Sequence, residues 1–431
     1  MSHTGLHIGG RLAGKLKGKH TITEQTAYGV LAIIACSHLL NDMLQSVVPA
    51  VYPILKESYG LSFVQIGIIT FLLQLTSSII QPFVGLYADR RPRPYSLAWG
   101  MCFTLVGLVQ LAWAASFASI LVAVCCIGIG SAVFHPEASR VAQMGHYRHQ
   151  GKQTYAEASR VAQMASGGKK GLAQSIFQVG GNGGSSLGPL LAALVVLPYG
   201  QHSIGLFALV AIVACLLLVH IGGWYSARLA YCTAHHTPPA QATHGLSPHM
   251  VRCCMGMLVV LIFSKYFYTA CITNYFTFYL IEKFHVSVQT SQLCLFAYLA
   301  AFAIGTLVGG MLGDRYGRKY VILGSIFGSA PFALLLPYAN LLWTMVLVVL
   351  VGLVISSAFS AILVYATDLM PDKVGVIAGV FFGLMFGLGG VASALFGWLA
   401  DCTSITHVFH LSCYLPLLGV VAVFLPNIKG R

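Results

Sequence analysis

The chain has 431 residues, of which 57% are hydrophobic and 8% carry a formal charge. Charged residues make up about a quarter of soluble domains, so this composition excludes an ordinary soluble globular protein and indicates a membrane protein. The net charge of +13 does not indicate nucleic-acid binding, because the basic residues form no patch on a soluble domain.

Twelve apolar segments are long enough to cross a bilayer, which needs roughly 20 mostly apolar residues per helix. A β-barrel would show short stretches of alternating polarity, whereas these runs are continuous. We therefore predict an all-α membrane protein with twelve transmembrane helices in two six-helix pseudo-symmetric bundles. The segments begin near Ala27, Ser62, Ser96, Ala118, Gly171, Ile204, Cys253, Val288, Tyr320, Asn340, Val374 and Ile405.

The basic residues predict the orientation of these segments. An even number of segments places both termini on one side, and 21 of the 24 Lys and Arg then fall on that side. Lys56 and Lys283 fall in outer loops, and Lys265 falls inside a segment. By the positive-inside rule, both termini are expected to be cytoplasmic.

Polar stretches divide the chain into a basic N-terminal tail, a first bundle, a cytoplasmic linker, a second bundle and a short C-terminal tail. The linker histidines lack a structural frame, so we predict a solvated loop rather than a metal site. The five parts are residues 1–26, 27–225, 226–250, 251–426 and 427–431.

The first segment carries ionisable groups at membrane depth. Asp42 lies 15 residues into the segment, and His38 precedes it by four residues on the same face. Charged groups at this depth are costly and usually have a partner or a task. Because a low-dielectric cavity favours the neutral form of a carboxyl group, we expect Asp42 to carry protons, with His38 beside it.

A Gly-x-x-x-Asp-Arg loop follows segments 2 and 8, and its two aspartates are 225 residues apart. Such an internal repeat is typical of secondary transporters, whose substrate site lies between the repeats near the midplane. We predict that both loops form a cytoplasmic gate. The predicted gate residues are Gly85, Asp89, Arg90, Gly310, Asp314, Arg315 and Arg318.

The fourth segment ends in a polar group that contains His135, Glu137 and Arg140. Pro136 removes a backbone hydrogen bond and loosens the last turn. Glu137 and Arg140 are one turn apart, so one interpretation is a salt bridge at the helix end. The other is a proton exit or gate, in which Glu137 takes part in proton coupling.

The loop after this segment contains a duplication. The string EASRVAQM occupies residues 137–144 and recurs 20 positions later at 157–164. The first copy completes the fourth helix, and the second leads into the fifth. The inserted stretch is polar and basic, as suits a cytoplasmic loop. Three interpretations are open: the insertion is a regulatory or lipid-contacting arm, it is an inert duplication, or it is a flaw in the gene model.

The fifth segment is rich in glycine and includes Gly184, Gly188 and Pro189. Small residues four apart allow helices to approach closely. Proline offers a bend, so we predict a hinge here, although packing alone explains most of the pattern.

The seventh segment carries Lys265 at nearly the repeat-equivalent position of Asp42, because 225 residues beyond Asp42 is position 267. Lys265 is predicted either to hold Asp42 ionised or to bind an anionic substrate; the alternative is a static ion pair that fixes helix packing. Tyr268 and Tyr275 follow at helical spacing, and we predict that they bind substrate. A tyrosine stripe can also be packing alone.

Two motifs are missing. Without a G-x-x-x-x-G-K-[ST] loop, an ATP-driven pump is not indicated. There is no H-E-x-x-H motif, and the G-x-S-x-G string at residues 184–188 lies inside an apolar segment rather than at a strand-to-helix elbow, so a membrane hydrolase is not indicated. We therefore predict no enzymatic activity, no cofactor and no metal.

The doubled Gly-x-x-x-Asp-Arg loop resembles the cytoplasmic signature of the major facilitator superfamily. Longer strings resemble bacterial exporters of that superfamily that confer resistance to a phosphonate antibiotic. These strings are SHLLNDMLQSVVPAVYPIL from Ser37, QSIFQVGGNGGSSLGPLLAA from Gln174, IFSKYFY from Ile262 and SAFSAILVYA from Ser357.

The resemblance implies an inner-membrane efflux transporter driven by protons, with a small anionic drug as substrate. It implies that Asp89 and Asp314 hold helix ends together at the cytoplasmic side; the first copy matches only in part, because Pro92 and Pro94 interrupt it. The anion would be neutralised by Lys265, with Arg140 or His135.

Uptake of an anionic metabolite by symport, a facilitator or channel, and a membrane-embedded sensor are the alternatives. The expected partners are a small-molecule substrate, protons and the lipid bilayer. No nucleic acid and no obligate protein partner is indicated.

The duplication can be tested by deleting residues 137–156, which leaves a single EASRVAQM string. We expect both forms to protect a host equally against the phosphonate antibiotic, because lengthening a polar loop costs little free energy. The measurement is the minimal inhibitory concentration. Protection only after deletion would mark the insertion as a defect, and loss of protection would support a functional arm.

Overall fold

The computed structural model describes residues 24–90, 93–144, 170–233, 245–370 and 374–428. Within these ranges all regular structure is helical. A helix begins within five residues of each predicted start, so the predicted elements are confirmed as helices.

We number the helices as follows: α1 Glu24–Ala50, α2 Phe63–Arg90, α3 Ser96–Ala112, α4 Phe117–Met144, α5 Lys170–Leu191, α6 Phe207–Thr233, α7 Pro248–Phe284, α8 Val288–Tyr316, α9 Arg318–Leu335, α10 Leu341–Ile355, α11 Val374–Cys402 and α12 Ile405–Ser412. Shorter stretches adjoin them: Tyr52–Tyr59 follows α1, a π-helical turn Ala192–Val196 continues α5, Ala358–Leu369 continues α10, and a 3₁₀ helix Leu415–Phe424 continues α12.

Ten of the described helical stretches are long and apolar enough to cross a membrane. They coincide with every predicted segment except the first and the third. Helix α3 is apolar but has 17 residues, and α1 has 27. The described part of the chain is therefore an all-helical membrane protein, and membrane crossing by α1 and α3 stays a prediction.

Polar residues at the turns fix where several helices begin. The side chains of Ser247, Ser287, Asn340 and Ser404 each accept a hydrogen bond from a backbone N–H in the first turn of the helix that follows. Such caps satisfy N–H groups that have no partner inside the helix. Gly317, at φ 99°, ends α8 in a conformation that favours glycine.

Glycines bring α5 into close contact with α1. A Cβ at Gly184 or at Gly188 would overlap the α1 backbone, and Ser46 lies against both positions. Pro189 lies inside α5, and the π-helical turn begins three residues later at Ala192. The close packing of α5 against α1 explains why small residues occur at these positions. Their role as a hinge stays a prediction.

The two halves of the chain meet along α2 with α11 and along α5 with α8. Where α2 begins, the backbone N–H groups of Phe63 and Val64 donate to the Asp401 carboxylate at 2.9 and 2.7 Å. A carboxylate at a helix N-terminus satisfies unpaired donors and complements the helix dipole. This contact therefore ties the start of α2 to the end of α11.

The contact between α2 and α11 loosens with distance from this end. The nearest atom to a Cβ built at Gly67 would lie at 2.7 Å, and at Gly390 at 2.9 Å. At Gly387 and Gly383 the corresponding distances are 3.5 and 3.6 Å. The contact between the halves along α2 and α11 is therefore tightest at the Phe63 end, and it is an ordinary van der Waals contact at Gly387 and Gly383.

Replacing Gly67 with Ala tests this closed contact. Its Cβ would lie 2.7 Å from the Ser393 carbonyl oxygen, so we expect the melting temperature of the purified protein to fall. Overpacking of this kind costs about 1–3 kcal/mol. The matched control is Gly256→Ala in α7, whose Cβ would have no described atom within 4 Å. Equal melting temperatures for the two variants would contradict the prediction.

Candidate functional site

A cavity of about 230 Å³ lies between the two halves. From the first half, its wall is formed mainly by polar side chains, among them His38, Asp42, Gln45, His135 and Asn182. From the second half, aromatic rings surround a single lysine, and the wall includes Lys265, Tyr266, Phe302, Phe359 and Phe386. A concave site with one polar wall and one aromatic wall suits a small organic ligand that carries both polar and apolar groups.

Asp42 contacts a histidine through each of its carboxylate oxygens. Oδ2 lies 3.3 Å from His38 Nε2, and Oδ1 lies 3.4 Å from His135 Nε2. Asn41 Nδ2 donates to Oδ1 at 3.0 Å. Helix α5 backs this group at Gly181, where a Cβ would lie 2.5 Å from His38 Nε2. Glycine at this position therefore permits the close approach of α5 to the acidic group.

The contacts of the second ring nitrogen of His135 bear on where the protons of this group lie. His135 Nδ1 lies 3.0 Å from the Ser131 carbonyl oxygen, which can only accept, and 3.2 Å from the Ser131 hydroxyl, which can donate. A neutral ring can therefore carry its hydrogen on Nδ1, with the Nε2 lone pair toward the Asp42 oxygen 3.4 Å away, or on Nε2, which then donates to that oxygen. This contact is favourable only when a proton lies between the two residues. The geometry therefore provides a place for an exchangeable proton.

The ligand atoms of His38, Asp42 and His135 lie within 4.8 Å of one another, a spacing that could also hold a metal ion. Hydrogen bonding between histidine and carboxylate accounts for both contacts without one. The expectation that the protein uses no metal stays a prediction.

Lys265 is fully buried. Its ammonium group donates to the Ser356 carbonyl oxygen at 2.9 Å. The ring centroids of Phe302, Tyr266 and Phe359 lie 5.1, 5.3 and 6.0 Å from Nζ, within the range of cation–π attraction. A buried ammonium normally needs an anionic partner. The cavity therefore has a cationic wall suited to an anion.

Asp42 and Lys265 line the same cavity, but among the described residues no ion pair joins them. The histidines occupy both Asp42 oxygens, and Lys265 donates to a backbone carbonyl. The alternative of a static Asp42–Lys265 ion pair is therefore not what the structure shows. Equivalent positions along two helices do not bring side chains together when each has closer partners.

Tyr268 and Tyr275, predicted to bind substrate, do not line this cavity. Tyr268 is fully buried away from it, and the Tyr275 hydroxyl donates to the Ser393 carbonyl oxygen at 2.6 Å. The α7 residues that do line the cavity are Lys265, Tyr266, Thr269, Ala270, Thr273 and Asn274. The predicted tyrosine face is the neighbouring strip of the helix, and it packs inside the protein.

The side chains of several predicted residues lie outside the described part of the structure. This applies to Gly85, Asp89 and Arg90 at the end of α2, and to Glu137 and Arg140 in the last turns of α4. His135, by contrast, lies nine residues before the end of α4 and belongs to the Asp42 group.

The second predicted gate loop is described. Arg318 is buried and forms an ion pair with Asp368, at the end of the helix that continues α10. Both residues belong to the second half, so this ion pair joins two elements of that half and does not bridge the halves. Gly310, Asp314 and Arg315 lie in the last two turns of α8. Their role as a cytoplasmic gate stays a prediction.

Two cross-half contacts were missed by sequence reasoning. Asn182 Nδ2 donates to Thr306 Oγ1 at 2.8 Å, which joins α5 to α8, and Asp401 caps α2. The Asn182 contact could have been suspected from the sequence, because an amide side chain stands within the glycine run of α5. The Asp401 contact had no local sequence signal, because its partners are backbone groups.

The sequence profile of the Major Facilitator Superfamily matches residues 34–143 and 257–430. The helical membrane fold and the cavity between two halves are those of a small-molecule transporter. The chain belongs to this superfamily, whose members are transporters rather than enzymes.

Two curated relatives match nearly the whole chain. The fosmidomycin resistance protein of Escherichia coli (strain K12) is 51% identical over 95% of this chain and 96% of its own length. The uncharacterized MFS-type transporter YfnC of Bacillus subtilis (strain 168) is 42% identical over 93% of this chain and 94% of its own length.

The cost of burying Lys265 can be measured with Lys265→Met, which retains an unbranched side chain and removes the charge. We expect the melting temperature to rise, by on the order of 1 kcal/mol in the free energy of unfolding, because the desolvated charge is lost. The control is Lys283→Met, where the ammonium donates to Tyr279 Oη and to the carbonyl oxygens of Pro337 and Ala339. There we expect a decrease. A decrease of equal size in both variants would contradict the prediction.

Proposed function

We propose that this protein is a proton-coupled exporter of a small anionic drug such as fosmidomycin, and that it confers resistance to that drug. It acts in the bacterial inner membrane, with twelve transmembrane helices in two six-helix bundles and both termini in the cytoplasm. The observation that carries the proposal is the cavity between the halves, with a carboxylate–histidine group on one wall and a buried lysine on the other.

The first wall supports coupling to protons. Asp42 and His135 face each other in a contact that requires a proton, and His38 contacts the other carboxylate oxygen. A group of this kind can take up or release a proton without an unpaired charge remaining at membrane depth. Protonation of Asp42 from outside and release toward the cytoplasm would then exchange for outward movement of the drug.

The second wall supports an anionic substrate. Lys265 has no carboxylate partner among the described residues, and its surroundings are aromatic. A phosphonate placed there would supply the missing negative charge. The apolar remainder of the molecule would pack against Phe359 and Phe386 on the same wall.

The helix packing supports alternating access, in which the two bundles rock about a central site. The α2–α11 contact is tightest at the Phe63 end, which is the outer end if the termini are cytoplasmic. A tight outer end is what we expect of a state that takes up a drug from the cytoplasm. Gly184, Gly188 and Pro189 would absorb bending of α5 during the transition.

The cytoplasmic residues complete the proposed cycle. Glu137 would pass the proton to the cytoplasm, and Arg140 would draw the anion toward the cavity. The repeated loops, including Asp89 and Asp314, would hold the cytoplasmic helix ends together when the cavity faces outward.

Asp42→Asn tests the coupling. We expect it to abolish drug export, because an amide cannot carry the proton that the cycle requires. The measurement is drug movement in proteoliposomes with an imposed pH gradient, together with protection of a sensitive host. The control is Glu57→Gln, an exposed acid in the short helix after α1, which should retain export.

Export and gradient dependence that survive in Asp42→Asn would overturn the coupling role. Reversing the gradient separates export from symport uptake, because only an antiporter drives the drug against the proton flux. Wild-type movement without any dependence on the gradient would indicate a facilitator. No movement at all would favour a sensor.

A further inference from the structure

Helix α10 is interrupted inside the second half. It ends at Ile355, Ser356 and Ser357 form a turn, and a 12-residue helix runs from Ala358 to Leu369. The side chains of both serines bond back to carbonyls of the preceding turn, Ser356 to Leu353 at 3.1 Å and Ser357 to Val354 at 3.2 Å. Such bonds compete with the hydrogen bonds of the helix backbone, and two of them occur together at this interruption.

The interruption faces the cavity. Ser356, Phe359 and Ser360 all line it, and Lys265 donates to the Ser356 carbonyl oxygen at 2.9 Å. The first turn of the helix Ala358–Leu369 therefore lies beside the ammonium group. A helix N-terminus carries partial positive charge and unpaired N–H groups, both of which favour an anion.

Ser360 supplies an independent observation. It lies in this first turn, its side chain is 1% exposed, and it lines the cavity. Among the described residues its hydroxyl has no hydrogen-bond partner. An unsatisfied buried hydroxyl is costly, and one in a cavity wall is ready to donate to a ligand.

We propose that Lys265, Ser360 and the first turn of the helix Ala358–Leu369 form the subsite for the oxyanion head group of the substrate, a phosphonate. This inference rests on the proposed function, since it assigns the anion-binding end of the same cavity. The ammonium group neutralises the charge, and the Ser360 hydroxyl donates to one phosphonate oxygen. The polar wall around Asp42 is then left free for proton exchange.

Ser360→Ala tests the subsite in the purified full-length protein by titration calorimetry with fosmidomycin. A hydrogen bond to a charged group is lost, so we expect roughly tenfold weaker binding. The neutral dialkyl ester of the same phosphonate should bind wild type and Ser360→Ala equally, because it lacks the charged oxygens.

The matched control is Ser393→Ala in α11, which removes another buried hydroxyl that has no partner among the described residues and that lies outside the cavity lining. It should bind fosmidomycin as wild type does. The subsite is overturned if Ser360→Ala and Ser393→Ala bind equally, if Ser360→Ala weakens acid and ester alike, or if wild type does not bind fosmidomycin.

A parallel transport assay separates the two proposals. If wild type binds fosmidomycin but does not export it, and Ser360→Ala weakens binding selectively, the subsite stands and the exporter proposal falls. If wild type exports the drug and Ser360→Ala binds it normally, the subsite alone falls.

Discussion

An ionisable side chain at membrane depth must find its partner within the protein, because lipid offers none. The cavity meets this constraint in two different ways. On one wall, Asp42 is surrounded by two histidines and an asparagine, so its charge is shared within the protein. On the other wall, Lys265 donates to one carbonyl oxygen and lies over three aromatic rings, and no carboxylate of the described residues pairs with it. Because only the lysine wall lacks a partner of opposite charge among the described residues, an anion is expected to bind at that wall.

The difference between the two walls would also separate proton binding from anion binding, the two tasks of a coupled transporter. In the proposed cycle the proton is held by Asp42, His38 and His135, which all belong to the first half. The anion would bind at Lys265 in the second half, where the lysine contacts the interruption of α10. Coupling between proton transfer and anion transport would then depend on how the two halves are positioned relative to each other. Contacts such as Asn182 to Thr306 join the halves.

Sequence reasoning singled out Asp42, His38 and Lys265, which line the cavity, because charge inside an apolar segment is a local signal. It also singled out Tyr268 and Tyr275, which do not line the cavity, because helical spacing defines a strip but not what the strip faces. The α7 strip one residue position away lines the cavity instead. Ser360 gave no signal, because a serine in an apolar helix becomes informative only when its hydroxyl is known to be buried and unpaired.

By itself, the sequence determined the helical class, the helix positions, the two-half organisation and the residues whose charge is costly in a membrane. These properties follow from composition and from the length of apolar runs, which are local. Only the tertiary structure decided that His135 joins Asp42, that Lys265 lies apart from it, and that the halves close where α2 begins. Those contacts join residues far apart in the chain, and the packing of glycines between helices, rather than any repeat offset, fixes which side chains meet.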